Sequence, residues 1–276
     1  MRAAEMETAA PIFDPSNIEP RIAAARRIAL FLDFDGTISP IVPVPSEAEI
    51  DPAIVPVLRR LASRDEIALT IASGRALDDV RRRVPIPQAM YVGNHGLEIE
   101  AGEQHFRHPE AEALRPELKC VALQLQLALS DIEGVEIEHK GITLSVHYRR
   151  VNEPLHEWIR HSVLETIERF HSFAPHTGKK VVEVRPAVDW NKGHAVRWIC
   201  REVLPASALP IYIGDDATDE DAFAAIPEGI TIRVGDPAHT NAQYLVRDVP
   251  AVGEFLNWLD LAKPHGAIAR HHWSGQ

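Results

Sequence analysis

Phe31-Leu32-Asp33-Phe34-Asp35-Gly36-Thr37-Ile38 sets two carboxylates two positions apart at the end of an apolar run and directly before a glycine. The run leading into it, Ile28-Ala29-Leu30-Phe31-Leu32, is short, bulky and uncharged. It reads as a buried strand, and Gly36-Thr37 turns the chain where that strand emerges. Ligands of open α/β sheets bind beyond the carboxyl ends of the strands, so Asp33 and Asp35 are expected at a strand mouth. Alternate residues of a strand stand about 6–7 Å apart, so the pair can share a divalent cation only if the chain bends, and Gly36 permits the bend. A plain polar turn is the competing reading. A calcium loop is another, but Gly36 comes too early for it, and Ile38 and Pro40 break the series of oxygen ligands.

A second acidic cluster, Gly214-Asp215-Asp216-Ala217-Thr218-Asp219-Glu220-Asp221, answers the first and again follows an apolar strand, Ile211-Tyr212-Ile213. Five carboxylates between residues 215 and 221 repel one another unless a cation or a helix N-terminus offsets part of the charge. Thr218 with Asp221 three positions on reads as a capping box, which assigns Asp219, Glu220 and Asp221 to the helix dipole. Asp215 and Asp216 precede that cap. With Asp33 they offer the oxygen ligands that Mg²⁺ prefers. Two weaker signals complete a phosphoryl-transfer site. Ile71-Ala72-Ser73-Gly74-Arg75 ends a third apolar strand with a hydroxyl and a glycine ahead of a helix, where a phosphate can be held. Asn191-Lys192-Gly193 places a cation before another helix. Taken singly, Ser73 is an ordinary N-cap, Arg75 an exposed cation and Lys192 a solvated one; their order gives them meaning.

The wider pattern carries the same fold. From Ile28 to about Leu97 strands and helices alternate: Ile28–Leu32, a helix over 53–62, Ile67–Ile71, a helix over 77–83, then Met90–Val92. That is βαβαβ order and predicts a parallel sheet. Between about 106 and 185 the order becomes a long helix (114–129), hairpin strands (135–139 and 143–149), a helix (155–170) and a strand (181–184), which predicts an inserted α+β unit. Alternation resumes after Asn191, with a helix near 194–200, strand 211–213, helix 220–225 and strand 231–234. The chain therefore divides into an N-terminal arm (1–25), a core (26–106), an insertion (107–187), a second part of the core (188–263) and a tail (264–276). The arm is expected to be loose or to form a short helix.

Composition narrows the function classes. With 45% apolar residues the chain can build real cores. Forty acidic against 29 basic residues give a net charge of −11, which argues against a nucleic-acid partner. An anionic substrate must then be held by local cations. Two cysteines, Cys120 and Cys200, make no disulfide framework, no apolar run reaches a membrane span, and the N-terminus lacks a basic-then-apolar leader. A soluble cytoplasmic protein is expected.

Asp-x-Asp-Gly-Thr, Ser-Gly-Arg, Lys and Gly-Asp-Asp, in that order, resemble the four motifs of the haloacid dehalogenase (HAD) superfamily. The resemblance implies an α/β fold, a Rossmann-like parallel-sheet HAD core with an inserted α+β cap domain. It also implies Asp33 as nucleophile, Asp35 as general acid/base, and Lys192 as a catalytic cation that holds phosphate together with Ser73 and Gly74. Asp33, Asp35 and Asp215 become ligands of Mg²⁺, with Asp216 and Asp219 just outside them. Within the superfamily, Gly93-Asn94-His95-Gly96-Leu97-Glu98 is similar to the Gly-x-His-Gly-x-Glu segment of trehalose-6-phosphate phosphatases. The stretches His139 to Gly141, Ser145 to Arg149, Val182 to Pro186 and Gly214 to Asp221 agree with it. This implies trehalose 6-phosphate as substrate, with Asn94, His95, Glu98, Lys140, His147, Glu183 and Arg185 as sugar contacts, and a functional link to trehalose-6-phosphate synthase. From spacing alone, Glu183 and Arg185 could equally be a surface cross-strand pair, and His95 a ring bound to a loop carbonyl. A related capped phosphatase for sucrose phosphate or mannosyl-3-phosphoglycerate is the nearest alternative. A non-catalytic, sugar-phosphate-binding regulatory subunit is the alternative of another class.

Overall fold

The structure is a computed structural model that describes residues 13–236 and 239–263. In chain order its elements begin with α1 (Glu19–Ala24), β1 (Arg27–Asp33), α2 (Val55–Ala62), β2 (Ile67–Ala72), α3 (Leu77–Arg83) and β3 (Met90–Gly93). Next come β4 (Glu98–Ala101), β5 (Gln104–Arg107), α4 (Pro109–Ala113), α5 (Arg115–Leu129), β6 (Glu136–His139) and β7 (Leu144–His147). The remainder is α6 (His156–Glu168), β8 (Phe173–Gly178), β9 (Val181–Pro186), α7 (Lys192–Trp198), β10 (Ala208–Gly214), α8 (Ala217–Ala225), β11 (Ile230–Val234), β12 (Tyr244–Val246) and α9 (Val249–Ala262).

The main sheet runs β12-β11-β10-β1-β2-β3-β4-β5. It is parallel through β3, and β4 and β5 add an antiparallel edge that sequence periodicity did not reveal. Along β1, Ile28, Leu30 and Leu32 enter one core layer with α2, α3 and α9, whereas Ala29 and Phe31 enter the other with α7 and α8. Burial on both faces explains why β1 reads as an unbroken apolar run instead of an alternating one. Strand order turns at β1: β2 and β3 extend to one side, β10 and β11 to the other. Asp33 pairs with Ala72 of β2, and Leu32 with Ile213 of β10, so three motifs distant in sequence end at adjacent strand mouths. That is the switch point of a doubly wound sheet, where a crevice forms.

The inserted segment folds as a four-stranded antiparallel sheet, β6-β7-β9-β8, with α5 and α6 on one face. Leu144, Val146, Val182 and Val184 face Leu118, Val121, Leu125, Ile159 and Val163 of those helices. Period-two alternation then sends the residues between them to the opposite face. Glu138 pairs with Ser145, Ser145 with Glu183 and Glu183 with His176, a polar row across all four strands.

Of the two expectations for the arm, the short helix holds: α1 (Glu19–Ala24) leads into β1, and from Phe13 onward the segment is packed. Ile18 and Ile22 are fully buried in the main core, and Phe13 donates its N–H to the Leu245 carbonyl and packs edge-on against Tyr244 and Phe255. These apolar residues have partners far along the chain, which local periodicity does not show. The tail after Lys263 and the first twelve residues lie outside the described residues. Among the described residues no helix is long and apolar enough to cross a membrane.

Candidate active site

Asp33 closes β1 and is buried, with its Oδ1 accepting a 2.6 Å hydrogen bond from Lys192 Nζ. Lys192 opens α7, whose cap is Asn191, with Oδ1 accepting from the His194 N–H. Gly193 lets α7 approach α8: a Cβ there would lie 2.3 Å from the Asp221 carbonyl oxygen. The same ammonium donates at 2.7 Å to Asp219 Oδ1. Asp219 is fully buried and fully used, since Tyr212 Oη also donates to Oδ1 at 2.7 Å and the Asp215 and Asp216 N–H groups donate to Oδ2 at 3.1 and 3.0 Å.

This corrects the assignment of the second cluster. The helix cap is Asp216 with Asp219 as its capping-box partner, not Thr218 with Asp221, so the helix begins earlier than expected and Asp219 turns inward to Lys192. Asp216 is then a cap instead of a metal ligand. Asp219 supports the site without free lone pairs, which leaves Asp33 and Asp215 as the available carboxylates.

Carboxylate oxygens of Asp33, Asp215 and Asp219 lie within 4.8 Å of one another, and Asp215 Oδ1 is buried without a hydrogen-bond partner. Burial, then Asp219, pushes the Asp215 carboxyl up to about 7. Burial also pushes Asp33 well above the carboxylate range, opposed by Lys192. Lys192 is held well above the usual lysine value because Asp219 and Asp33 outweigh its burial. These directions compete, since an ion pair needs Asp33 ionised. Asp219 gives Lys192 a second carboxylate partner beside Asp33. An orphaned oxygen and crowded carboxylates fit a hard divalent cation. Gly36 shapes this corner: its φ is +84°, and a Cβ would fall 2.0 Å from Asp215 Oδ2.

Asp35, expected beside Asp33 and Asp215 as a ligand, points its carboxylate elsewhere. Arg75 grips it through Nη2 to Oδ1 at 2.6 Å and Nε to Oδ2 at 2.8 Å, a fork that takes both oxygens. Arg75 is itself buried, pairs with Asp79 and lies over the Phe34 ring. It is therefore not the exposed cation that its sequence context suggests. Ser73 is buried and its Oγ accepts from the Arg75 N–H, while the Gly74 carbonyl accepts from Lys140 Nζ at 3.2 Å.

Of the expected sugar contacts, Asn94, His95, Lys140, His147, Glu183 and Arg185 line one cavity with Asp33, Asp35, Ser73, Gly74, Lys192 and Asp215. The cavity measures about 1020 Å³, the upper end of small-molecule sites, and the polar face of the inserted sheet forms one wall. Glu183 accepts from Lys140 at 3.2 Å and from Arg185 Nε at 2.9 Å, and lies 2.8 Å from His95 Nε2. Burial lowers His95 to about 4, leaving it neutral at pH 7. Against its burial, the pairing with His95 first, and then Lys140 and Arg185, hold Glu183 well below its usual value. His147 pairs with Glu138 at 3.0 Å, and Glu138 is a cavity residue that sequence reasoning missed because its signal is only its place in the cross-strand row.

Asn94 lines the cavity and Glu98 lies behind it, and the two side chains are joined. Asn94 is fully buried and its amide is spent: Nδ2 donates to Glu98 Oε2 at 2.6 Å and to the Lys140 carbonyl at 3.1 Å, and Oδ1 accepts from Thr143 at 2.6 Å. Glu98 also meets Arg107, and it does not line the cavity. Together they fasten the core to the inserted unit and brace the turn Asn94-His95-Gly96, all three at positive φ. A second cavity of about 890 Å³ lies at the amino ends of β1 and β10 and contains none of the four motifs' charged residues.

A parallel sheet with acidic residues at its switch point and an α+β unit inserted over them defines the capped HAD phosphatase fold. The trehalose-phosphatase family model matches residues 31–249, and the chain belongs to that family. It is 40% identical over 250 residues to the trehalose-phosphate phosphatase of Mycobacterium tuberculosis strain H37Rv, covering 85% of this chain and 62% of that protein. The Mycobacterium marinum protein of the same name is 39% identical over 244 residues, covering 84% and 61%. The chain thus spans about three fifths of the length of these relatives. The fold superposes on the C-terminal domain of Candida albicans trehalose-6-phosphate phosphatase with a TM-score of 0.78 at 21% identity, covering 92% of this chain and 99% of that one. A trehalose-6-phosphate phosphatase related protein gives 0.75 at 25% identity, covering 84% and 97%.

Proposed function

We propose that this protein is a Mg²⁺-dependent phosphatase that hydrolyses trehalose 6-phosphate to trehalose and phosphate through an aspartyl phosphate on Asp33. The observation that carries the reading is a buried Asp33 held by Lys192 beside the unpartnered Asp215 oxygen, beneath a cavity walled by a polar sheet face. Asp33 Oδ attacks phosphorus and the bond to the sugar oxygen breaks. Asp35 gives that oxygen its proton as general acid. Asp35 then takes a proton from the water that attacks the acyl phosphate, returning Asp33 and phosphate. Lys192 and Ser73 steady the phosphoryl oxygens. Asp33 and Asp215 would hold Mg²⁺, which would supply charge neutralisation at the phosphoryl group.

Residues 107–187 are the cap in this reading and 26–106 with 188–263 the core, a division supported by strand pairing that ends at Arg107 and resumes beyond Pro186. A functional link to a trehalose-6-phosphate synthase and a cytoplasmic location belong to the same reading. Its test is side-by-side turnover of trehalose 6-phosphate, sucrose 6-phosphate, mannosyl-3-phosphoglycerate and an aryl phosphate. The disaccharide phosphate of trehalose is expected to give the highest kcat/KM by at least about tenfold. A higher value for another sugar phosphate overturns the substrate, and binding without phosphate release overturns the enzyme.

Lys140→Ala is expected to cut kcat/KM for trehalose 6-phosphate by about 100-fold while changing aryl phosphate turnover by less than about threefold. Glu183→Ala should show the same split, because both residues stand on the inserted-sheet wall of the cavity. Equal losses on both substrates would place the pair in support of the core.

A further inference from the structure

We propose that Tyr212 is a positioning residue of this site, acting through Asp219 on both Lys192 and Asp215. The inference rests on the phosphatase reading above and deepens it. Tyr212 lies on β10, on the face opposite Ile211 and Ile213, and is fully buried between Phe31, stacked at 6.2 Å, and Phe223, edge-on at 5.7 Å. Nothing in that packing needs a hydroxyl. Burying one without a partner is costly, and a phenylalanine would fill the same space. The hydroxyl has one partner, Asp219 Oδ1 at 2.7 Å. Burial and the neighbouring Asp219 carboxylate hold the phenol well above its usual value, so it stays a donor.

Asp219 is the junction of the site. Oδ1 takes Lys192, whose other bond reaches Asp33, and Oδ2 takes the Asp215 and Asp216 N–H groups. A carboxylate rotates as a unit about one bond, so an anchor on Oδ1 also fixes the direction of Oδ2. Without the phenol, Oδ1 has only Lys192, and the ammonium shifts toward Asp219 at the expense of Asp33 and the phosphoryl group. The Asp215 backbone loosens with it. What weakens is the grip on the transferring phosphoryl group, while the sugar wall is untouched.

Tyr212→Phe should therefore lower kcat at least about tenfold on trehalose 6-phosphate and on p-nitrophenyl phosphate alike, with KM within about twofold; tenfold corresponds to about 1.4 kcal/mol. Affinity for magnesium fluoroaluminate, a mimic of the transferring phosphoryl group, should fall by a similar factor in calorimetry. Phe223→Leu, which disturbs the same packing but keeps the hydroxyl bond, should lower the melting temperature and leave kcat within about twofold. Tyr212→Phe with kcat and fluoroaluminate affinity both within twofold of wild type overturns the inference. So does a loss in Tyr212→Phe that Phe223→Leu reproduces at equal melting temperature. If wild type leaves trehalose 6-phosphate untouched, the substrate reading fails, while the aryl phosphate and fluoroaluminate arms still decide the role of Tyr212.

Discussion

Replacing Asp33 with asparagine should abolish turnover of every phosphate ester while the protein stays folded. The amide keeps the shape but cannot form the acyl phosphate, so the expected loss is at least about 10⁴-fold, roughly 5 kcal/mol of transition-state stabilisation. Retention of a tenth of wild-type activity would remove Asp33 from the role of nucleophile. The fold should survive because Lys192 keeps its bond to Asp219, so no buried ammonium is left without a carboxylate. Stability should even rise slightly in metal-free buffer. The folded-state pKa of Asp33 is raised, so its favourable contribution exists only below the unfolded value and turns into a cost as pH rises toward neutrality. An amide carries no such cost. A melting temperature at pH 7.5 equal to or above that of wild type, beside silent kinetics, separates loss of chemistry from loss of structure.

Stripping divalent metal should also abolish the proposed turnover, with Mg²⁺ restoring it and zinc not required. Asp33 and Asp215 offer only oxygen, and neither Cys120 nor Cys200 lies in the cavity. Full turnover in excess chelator would contradict the site. A second readout does not depend on turnover. At 100 times its dissociation constant a ligand of the folded state adds about 2.7 kcal/mol, so Mg²⁺ should raise the melting temperature of wild type. Asp215→Asn should lose that rise together with activity. The shift has a local cause: the cation would meet the Asp215 oxygen that otherwise has no partner and offset the burial and the Asp219 charge that raise its carboxyl to about 7. A wild-type melting temperature indifferent to Mg²⁺ would remove Asp215 as a ligand.

Much of this arrangement is legible in the chain. β1, β2 and β10 are compact apolar runs, each ending in a polar motif, and a strand buried on both faces needs such a run. Alternation of strand and helix fixes their parallel direction, and parallel direction puts Asp33, Ser73 and Asp215 at the same end of the sheet. The break in alternation beyond Arg107 marks the inserted unit, and period two along β9 foretells that Glu183 and Arg185 share a face. The hairpin of β4 and β5 escaped because Gln104 to Arg107 is an exposed edge whose pattern is polar.

The fate of individual side chains was a different matter. Asp35 and Asp219 look alike in sequence, acidic residues within a few positions of a motif aspartate. Arg75 takes the first away from Asp33, and Lys192 with Tyr212 takes the second into the core. Asn94 lines the cavity, and Thr143 and Lys140 of the inserted unit engage its amide there. Periodicity and motif order determine which strands form and which ends carry acid, because those depend on neighbours a few residues away. Hydrogen-bond capacity is saturable, and Lys192 reaches Asp33 across 159 residues of chain. Which carboxylates remain free for a metal or a phosphate is therefore settled only when distant donors are packed against them.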